Sequence, residues 1–474
     1  MNKTLKKQHL ILHDKNIIKG ILILAIPVML NNVVKALHDI VDTFLVSQME
    51  GPTEIISAQI SAIGFVSPII NICQALAIGM MTAGVALMSQ YIGAGKEDKA
   101  RKVSGQLLLL CTIVGIIFNI VLYFLSPAIL TLMNAEGELF NYSLTYIRLR
   151  SFELTGLFIF YSYQATRQSQ GDTVNPVIIN VISVVLNIIL TTIFIYGMKM
   201  DITGAALGTV IANVIIIFPC VIHMIKSSTL TLKLDGLTPN FKYISKIIKF
   251  GMPAAISQAF TSFGFLIING VTSDLQNSLG AVGYSILAPV SIGGRINSIL
   301  LLPVMGIGTV LATFVGQNVG AGNKERASKA FLSSIALSLM LTIAGGFIIF
   351  PFRELIIRIF LSNPNEIDIC MLYMNYLIFG LPLMGLFQCF IGCFQGAGRT
   401  DLVLILSTVR LWLLRIPVLL AMVYLLDFDY QAVWLCMVIS NFGATILGLL
   451  LYQRVDYEPR ISNIHRKIRQ ELKA

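Results

Sequence analysis

Acidic side chains are rare within the apolar stretches of this sequence, and the few present lie in its first half. Asp39, Asp42 and Glu153 fall inside such stretches, whereas those after residue 242 have no Asp or Glu in their interiors. Arg150 is spaced to pair with Glu153 along one helix, which leaves the two aspartates. Because ionisable groups are costly inside a membrane, most of them bind a proton, an ion or a substrate. The sequence therefore predicts a proton- or cation-binding site in the first half.

A stripe of polar residues spaced by three or four positions follows one face of an Ile- and Val-rich helix. It consists of Asn180, Ser183, Asn187 and Thr191. At 1.5 Å per residue, Thr191 and Asn187 lie about 9 and 15 Å from the outer end of that helix, close to the depth predicted for Asp42 and Thr209. Carboxylate, amide and hydroxyl oxygens at one level can hold a proton or a small hard cation. The alternative is that the amides and hydroxyls only form hydrogen bonds between helices.

The helix that carries Asp42 has two further features. Lys35, Asp39 and Asp42 share one face, so Lys35 can neutralise Asp39 and leave Asp42 as the titrating acid. Pro27, about ten residues into the helix, removes a backbone hydrogen bond and predicts a kink. That kink is either a hinge or a static bend, which membrane helices tolerate.

Membrane-spanning helices are the elements that position these residues. Of the 474 residues, 56% are hydrophobic and only 12% are charged, against about 25% charged in soluble proteins. Apolar stretches of about 20 residues recur throughout, which predicts an all-α integral membrane protein and excludes an ordinary cytosolic enzyme. The predicted spans, numbered 1 to 12, are 17–47, 55–82, 103–126, 140–165, 173–197, 202–225, 243–270, 281–309, 331–352, 370–395, 401–425 and 430–452.

The distribution of Lys and Arg indicates how these spans are oriented. The two tails and the loops on their side hold 25 of the 34 cations, and the opposite loops hold three, Lys199, Arg353 and Arg358. Basic short loops stay in the cytoplasm, so both termini are expected inside, in the cytoplasmic membrane. The net charge of +10 therefore reflects topology, and we expect no nucleic-acid partner.

The chain contains an internal repeat. Residues 90–102 and 317–329 are identical at six of thirteen positions at an offset of 227, and Pro27 aligns with Pro253 at an offset of 226. Since each copy starts and ends inside, the two six-helix units are parallel. The predicted organisation is an N-terminal lobe at 1–225, a cytoplasmic linker at 226–242, a C-terminal lobe at 243–452 and a cytoplasmic basic tail at 453–474.

Catalytic and nucleotide-binding motifs are missing from the sequence. It has no G-x-x-x-x-G-K-[ST] phosphate loop, no H-E-x-x-H and no G-x-S-x-G pattern. The chain is therefore not expected to be an enzyme or an ATP-driven pump, and needs no cofactor beyond a coupling ion. A channel or receptor is a further alternative, but it would not need the buried carboxylate.

In these residues the chain resembles the multidrug and toxic compound extrusion (MATE) transporters over nearly its whole length. The motifs are Pro27, D-I-V-D-T at 39–43, both G-A-G loops, Q-G-D-T at 170–173, L-N-I-I at 186–189, G-A-A-L-G-T at 204–209, Arg295 before Ile-Asn-Ser, and L-R-I-P at 414–417. The resemblance implies two six-helix lobes around a central V-shaped cavity, and export of amphipathic, usually cationic compounds against inward Na⁺ or H⁺. It also implies that Asp42, Asn187 and Thr209 form the cation site, beside a first helix that bends at Pro27.

The sequence departs from the family pattern in ways that affect this interpretation. The family has an Asp where Thr191 stands, and losing that carboxylate weakens a Na⁺ site more than a protonation site. Residues expected to line the substrate cavity are Asn180, Gln258, Arg295 and Gln388. Arg295, Arg410 and Arg415 either bind carbonyls and lipid phosphates at helix ends or accept an acidic group of the substrate. The main alternative function is a flippase for a lipid-linked saccharide. The expected partners are a small organic substrate and membrane lipid, and the protein is expected to be a monomer.

Overall fold

The structure is a computed structural model that describes residues 3–49, 52–227, 229–278 and 286–461. All regular secondary structure within these ranges is helical. The α-helices are α1 Lys3–Leu12, α2 Ile17–Ser47, α3 Thr53–Gly93, α4 Glu97–Leu132, α5 Gly137–Ser151, α6 Glu153–Ser169, α7 Val174–Thr192, α8 Asp201–Ile215, α9 Ile217–Ile225, α10 Phe241–Ser278, α11 Leu287–Gly320, α12 Lys324–Arg358, α13 Pro364–Gly396, α14 Thr400–Thr408, α15 Ile416–Tyr424 and α16 Gln431–Tyr452. Two π-helices, Ile193–Gly197 and Val409–Arg415, and one 3₁₀-helix, Leu234–Leu237, complete the described elements.

Twelve helical segments match the predicted spans, which confirms an all-α, multi-pass membrane protein. Eleven of them, among the described residues, are long and apolar enough to cross a membrane. The twelfth, predicted at 140–165, is divided into α5 and α6 at Phe152 and carries Arg148, Arg150 and Glu153. Side chains such as Phe124, Phe347 and Phe379 are more than 70% exposed, as expected for faces that contact lipid. Residues 281–285 of the eighth span lie outside the described part of the chain.

Glycines with positive φ confirm the internal repeat in the backbone. Gly95 and Gly322 have φ of 68° and 75°, and Gly171 and Gly398 have φ of 77° and 71°. Each pair is separated by the offset of 227, and each residue lies in a turn where a left-handed conformation costs glycine little. Equivalent loops of the two copies therefore have the same backbone path.

By contacts, the chain divides into two compact units whose bounds differ from the predicted lobes. Unit 1 comprises Met1–His9 and Leu30–Gln258, and unit 2 comprises Leu10–Met29 and Ala259–Ala474. The chain passes from unit 2 to unit 1 within α2, shortly after Pro27, and from unit 1 to unit 2 within α10, shortly after the equivalent Pro253. The first part of each of these helices therefore belongs with the other copy of the repeat.

Two equivalent glycines accommodate these exchanged helix segments. In unit 1, a Cβ on Gly79 would lie 2.6 Å from Ala255 N and 2.7 Å from Gly251 O, so α3 and the first part of α10 are in backbone contact. In unit 2, a Cβ on Gly306 would lie 2.8 Å from Met29 Cγ. Only a residue without a side chain permits such close helix packing.

The predicted linker at 226–242 is a structured part of unit 1. Gln106 on α4 donates hydrogen bonds from Nε2 to Gly236 O at 2.6 Å and to Thr238 O at 2.8 Å. Its Oε1 accepts a hydrogen bond from Asn240 N at 2.8 Å. One buried amide thus satisfies three backbone groups of the linker. Residues 462–474 of the predicted tail lie outside the described residues.

Candidate cation site

The predicted polar stripe packs against α8 and forms a buried cluster in unit 1. Asn187 Nδ2 donates to Thr209 Oγ1 at 2.9 Å and lies 3.4 Å from Thr191 Oγ1. Asn187, Thr191 and Thr209 are each no more than 3% exposed. The structure therefore brings together three of the residues predicted for the cation site.

Glycines on α8 make this close approach possible. A Cβ on Gly208 would collide with Thr191 Oγ1 and would lie 2.9 Å from Thr191 N, and a Cβ on Gly204 would lie 3.1 Å from Phe194 Cβ. Gly204 and Gly208 therefore form a packing face of α8 against Phe194 and Thr191. Without side chains at these positions, the hydroxyl of Thr209 can reach the amide of Asn187.

The oxygens of this cluster are suited to a proton or a hard cation. Thr209 Oγ1 donates its proton to Ala205 O at 3.1 Å while accepting from Asn187, which leaves one lone pair. Neutral amide and hydroxyl oxygens are weak ligands without a nearby charge. The cluster thus needs a carboxylate from another helix to hold a cation firmly.

A second group of hydrogen-bonded side chains lies one helical turn from this cluster, on the side away from the outer end of α7. Ser183 Oγ donates to Asn213 Oδ1 at 3.4 Å, and Asn213 Nδ2 donates to Glu153 Oε2 at 3.5 Å. The predicted pair of Arg150 and Glu153 is confirmed, with Nη2 and Oε1 separated by 2.7 Å. Sequence reasoning missed Asn213, although it follows Thr209 by four residues and therefore shares its face.

The side chains of Asp39 and Asp42 on α2 lie outside the described residues, so their roles stay predictions. Lys35, expected to neutralise Asp39, has its Nζ 5.5 Å from the centroid of the Tyr161 ring. Helix α2 continues through Pro27 from Ile17 to Ser47.

The predicted cavity residues are divided between the two units. Asn180 and Gln258 belong to unit 1, and Arg295 and Gln388 belong to unit 2. Gln258 and Arg295 are exposed, Asn180 and Gln388 are half-buried, and Asn180 Nδ2 has no hydrogen-bond partner among the described residues. A shared cavity formed by these four residues stays a prediction.

Comparison with known proteins identifies the family. The sequence profile of the MatE family matches residues 27–193 and 253–420, once on each copy of the repeat. The chain belongs to the MatE family. MatE proteins are membrane transporters, and the resemblance found in the motifs is thereby confirmed.

Relatives match the chain over nearly its whole length. It is 26% identical to the probable multidrug resistance protein NorM of Thermotoga maritima over 93% of both chains. It is 25% identical to the multidrug export protein MepA of Staphylococcus saprophyticus over 94% of this chain and 96% of that protein. A solved multidrug resistance MATE family transporter in an outward-facing conformation shares the fold, with a TM-score of 0.86, 23% identity, and coverage of 96% of this chain and 98% of that one.

Proposed function

We propose that this protein is a secondary antiporter that exports amphipathic, usually cationic organic compounds across the cytoplasmic membrane. Its MatE relatives NorM and MepA are named for multidrug resistance and export, and they match it nearly end to end. We expect both termini in the cytoplasm and a monomeric protein.

The observation that carries the proposal is the buried cluster of Asn187, Thr191 and Thr209 in unit 1. These groups are at most 3% exposed, and α2, which carries Asp42, belongs to the same unit from Leu30 onward. A carboxylate beside neutral oxygens can change its protonation state as the site faces one side of the membrane or the other. Such a change in protonation allows an inward ion gradient to drive the conformational change.

We propose H⁺ as the sufficient coupling ion. The position where the family pattern has an Asp is Thr191, whose hydroxyl interacts with the Asn187 amide at 3.4 Å. With one carboxylate instead of two, the site has less negative charge to offset the dehydration of Na⁺. Protonation of Asp42 needs only one carboxylate.

The test is transport of a fluorescent cationic dye by the purified protein in proteoliposomes. One set receives an imposed pH gradient without Na⁺, and the other receives a Na⁺ gradient at equal pH on both sides. The proposal predicts dye movement in the first set, abolished by a protonophore. Transport in neither set would refute ion-coupled export, and transport in the second set alone would refute the choice of H⁺.

A further inference from the structure

Two buried arginines lie on one short segment of unit 2. Arg410 and Arg415 are 5% and 6% exposed and belong to the π-helix Val409–Arg415. Residues five apart would point about 140° away from each other on an ordinary α-helix. The wider turn of the π-helix brings both guanidinium groups to the same side, and π-helical turns are frequent at functional sites.

The two guanidinium groups converge on a single neutral oxygen. Arg410 Nη1 and Arg415 Nη2 lie 3.4 and 3.0 Å from Asn441 Oδ1. Arg415 Nε also donates to Ser440 Oγ at 2.9 Å, and Arg410 lies 4.2 Å from the centroid of the Phe387 ring. These contacts are with side chains rather than with carbonyls at a helix end.

Neither cation has an acidic partner in the part of the chain that the structure describes. Among the Asp and Glu residues whose side chains the structure describes, which leaves out Asp39 and Asp42, none forms an ion pair with Arg410 or Arg415. A buried charge without a counter-charge is strongly destabilising. An anion from outside the described chain would therefore stabilise these two charges, which lie 3.0 and 3.4 Å from one amide oxygen.

The internal repeat allows the residues around Asn441 in unit 2 to be compared with the equivalent residues in unit 1. Asn213 of unit 1 corresponds to Asn441 of unit 2, since each ends a V-I-x-N sequence. At the offset of 227, Ser183 corresponds to Arg410 and Glu153 to Gly380. Unit 1 thus has a hydroxyl and a carboxylate around its asparagine, whereas unit 2 has a guanidinium and a glycine.

Two hydrogen-bond donors in unit 2 are unused, and one of them lies beside that glycine. Arg410 Nε and Asn441 Nδ2 are buried and have no partner among the described residues. A Cβ on Gly380 would lie 3.8 Å from Asn441 Nδ2, at ordinary contact distance. Unit 2 therefore has a glycine where Glu153 supplies a carboxylate to Asn213 in unit 1, although the donors that would bind such a carboxylate are present.

We propose that Arg410, Arg415 and Asn441 form a binding site, here named the arginine site, for the carboxylate or phosphate group of an amphipathic molecule. Guanidinium groups bind such oxyanions by paired, charge-assisted hydrogen bonds. The ring of Phe387 and the side chain of Met384, whose Sδ is 3.3 Å from Arg410 Nη1, provide apolar contact for the rest of the molecule. The site lies in unit 2 and does not depend on proton coupling in unit 1.

The chain contains a natural reporter for this site. Both of its tryptophans lie in unit 2. Trp412 lies between the two arginines in sequence, and Trp434 is buried with its ring centroid 5.3 Å from that of Tyr373. Tryptophan fluorescence of the full-length protein in phosphatidylcholine nanodiscs should therefore respond to occupation of the arginine site.

The probes are octanoate, octyl phosphate and inorganic phosphate, with 1-octanol as the uncharged control. We expect a saturable change with octanoate or octyl phosphate and none with 1-octanol. Arg415→Gln and Arg410→Gln should each raise the Kd by about tenfold or more. The control Arg358→Gln, which alters an exposed pair with Glu354, should leave the Kd unchanged.

A parallel titration uses nanodiscs that contain phosphatidylglycerol, to distinguish a lipid headgroup from a soluble amphiphile as the source of the oxyanion. A fluorescence change on adding this lipid, lost in Arg415→Gln, assigns the site to a lipid headgroup. A response to octyl phosphate in pure phosphatidylcholine assigns it to a soluble amphiphile, and a response to inorganic phosphate shows that the anion alone suffices. Absence of any saturable response in wild type, or a Kd unchanged from wild type in both arginine variants, overturns the proposal.

Gly380→Glu provides a test that does not depend on losing an arginine. The new carboxylate corresponds to Glu153 and should occupy the arginine site from within the chain. We expect this variant to have a higher melting temperature than wild type and no response to octanoate. An unchanged octanoate response in a folded Gly380→Glu protein also overturns the proposal.

Discussion

Replacing Gly208 by Ala should separate α7 from α8 and disrupt the cation site. The added Cβ would collide with Thr191 Oγ1 and would lie 2.9 Å from Thr191 N. Because a backbone atom is involved, the helices must move apart by several tenths of an ångström. The bond from Asn187 Nδ2 to Thr209 Oγ1, now 2.9 Å, then lengthens or breaks.

The expected loss in the free energy of unfolding follows from the overpacking and from the lost hydrogen bond. Overpacking a well-packed interface costs about 1 to 3 kcal/mol, and a lost buried hydrogen bond adds about 1 kcal/mol. We therefore expect Gly208→Ala to lower the free energy of unfolding by about 2 to 4 kcal/mol. Gly64→Ala is the matched control, since its Cβ would meet nothing within 4 Å, and replacing glycine within a helix gains about 0.5 to 1 kcal/mol.

The assay is thermal unfolding of both variants in the same detergent, followed by dye transport in proteoliposomes. We expect Gly208→Ala to unfold at a lower temperature than wild type and to lose gradient-driven transport. Adding Thr191→Ala to Gly208→Ala removes the hydroxyl that the new Cβ would meet, so the double variant should be more stable than Gly208→Ala alone. If Gly208→Ala is as stable and active as Gly64→Ala, the account of the helix contact is wrong.

Three further predictions concern other parts of the molecule. Thr191→Asp should strengthen Na⁺ binding, measured by calorimetry, because it adds charge and oxygen ligands; unchanged Na⁺ affinity would remove Thr191 from the site. Pro27→Ala should bind substrate but fail to transport it if α2 has a hinge there, whereas near-normal transport would indicate a static kink. Burial alone would raise the pKa of Asp172, but Arg167 and Lys7 outweigh it and hold the pKa at about 2. This carboxylate should therefore contribute about 2 kcal/mol of stability above pH 4, lost as the pH falls towards 2. The measurement is the free energy of unfolding of wild type and of Asp172→Asn as a function of pH. The same pH dependence in both proteins would show that the reasoning is wrong.

Features set by local sequence were predictable. Asn187 and Thr191 share one face of a helix by their spacing, and Gly208 stands beside Thr209 on the next helix, which was enough to predict that these groups lie together. The family profile matched both copies of the repeat. In each case the information lies within one helix or in one short motif, where periodicity alone determines which residues share a face.

Features that depend on packing between distant segments were not predictable. The hydrogen bonds from Gln106 to the linker join residues 130 or more positions apart, and no periodicity records them. The exchange of helix segments at Met29 and Gln258 arises from close contacts at Gly79 and Gly306. The convergence of Arg410 and Arg415 required a π-helix, whereas the sequence suggested ordinary helical spacing.

The central claim is that protonation of Asp42 drives export, and the most direct measurement compares Asp42→Asn with wild type in proteoliposomes under an imposed pH gradient. Asp201→Asn is the matched control, because Asp201 is an exposed residue in the first turn of α8. The account predicts that wild type and Asp201→Asn export the dye without Na⁺, while folded Asp42→Asn binds the dye but does not export it. Export by Asp42→Asn at the wild-type rate would contradict the account.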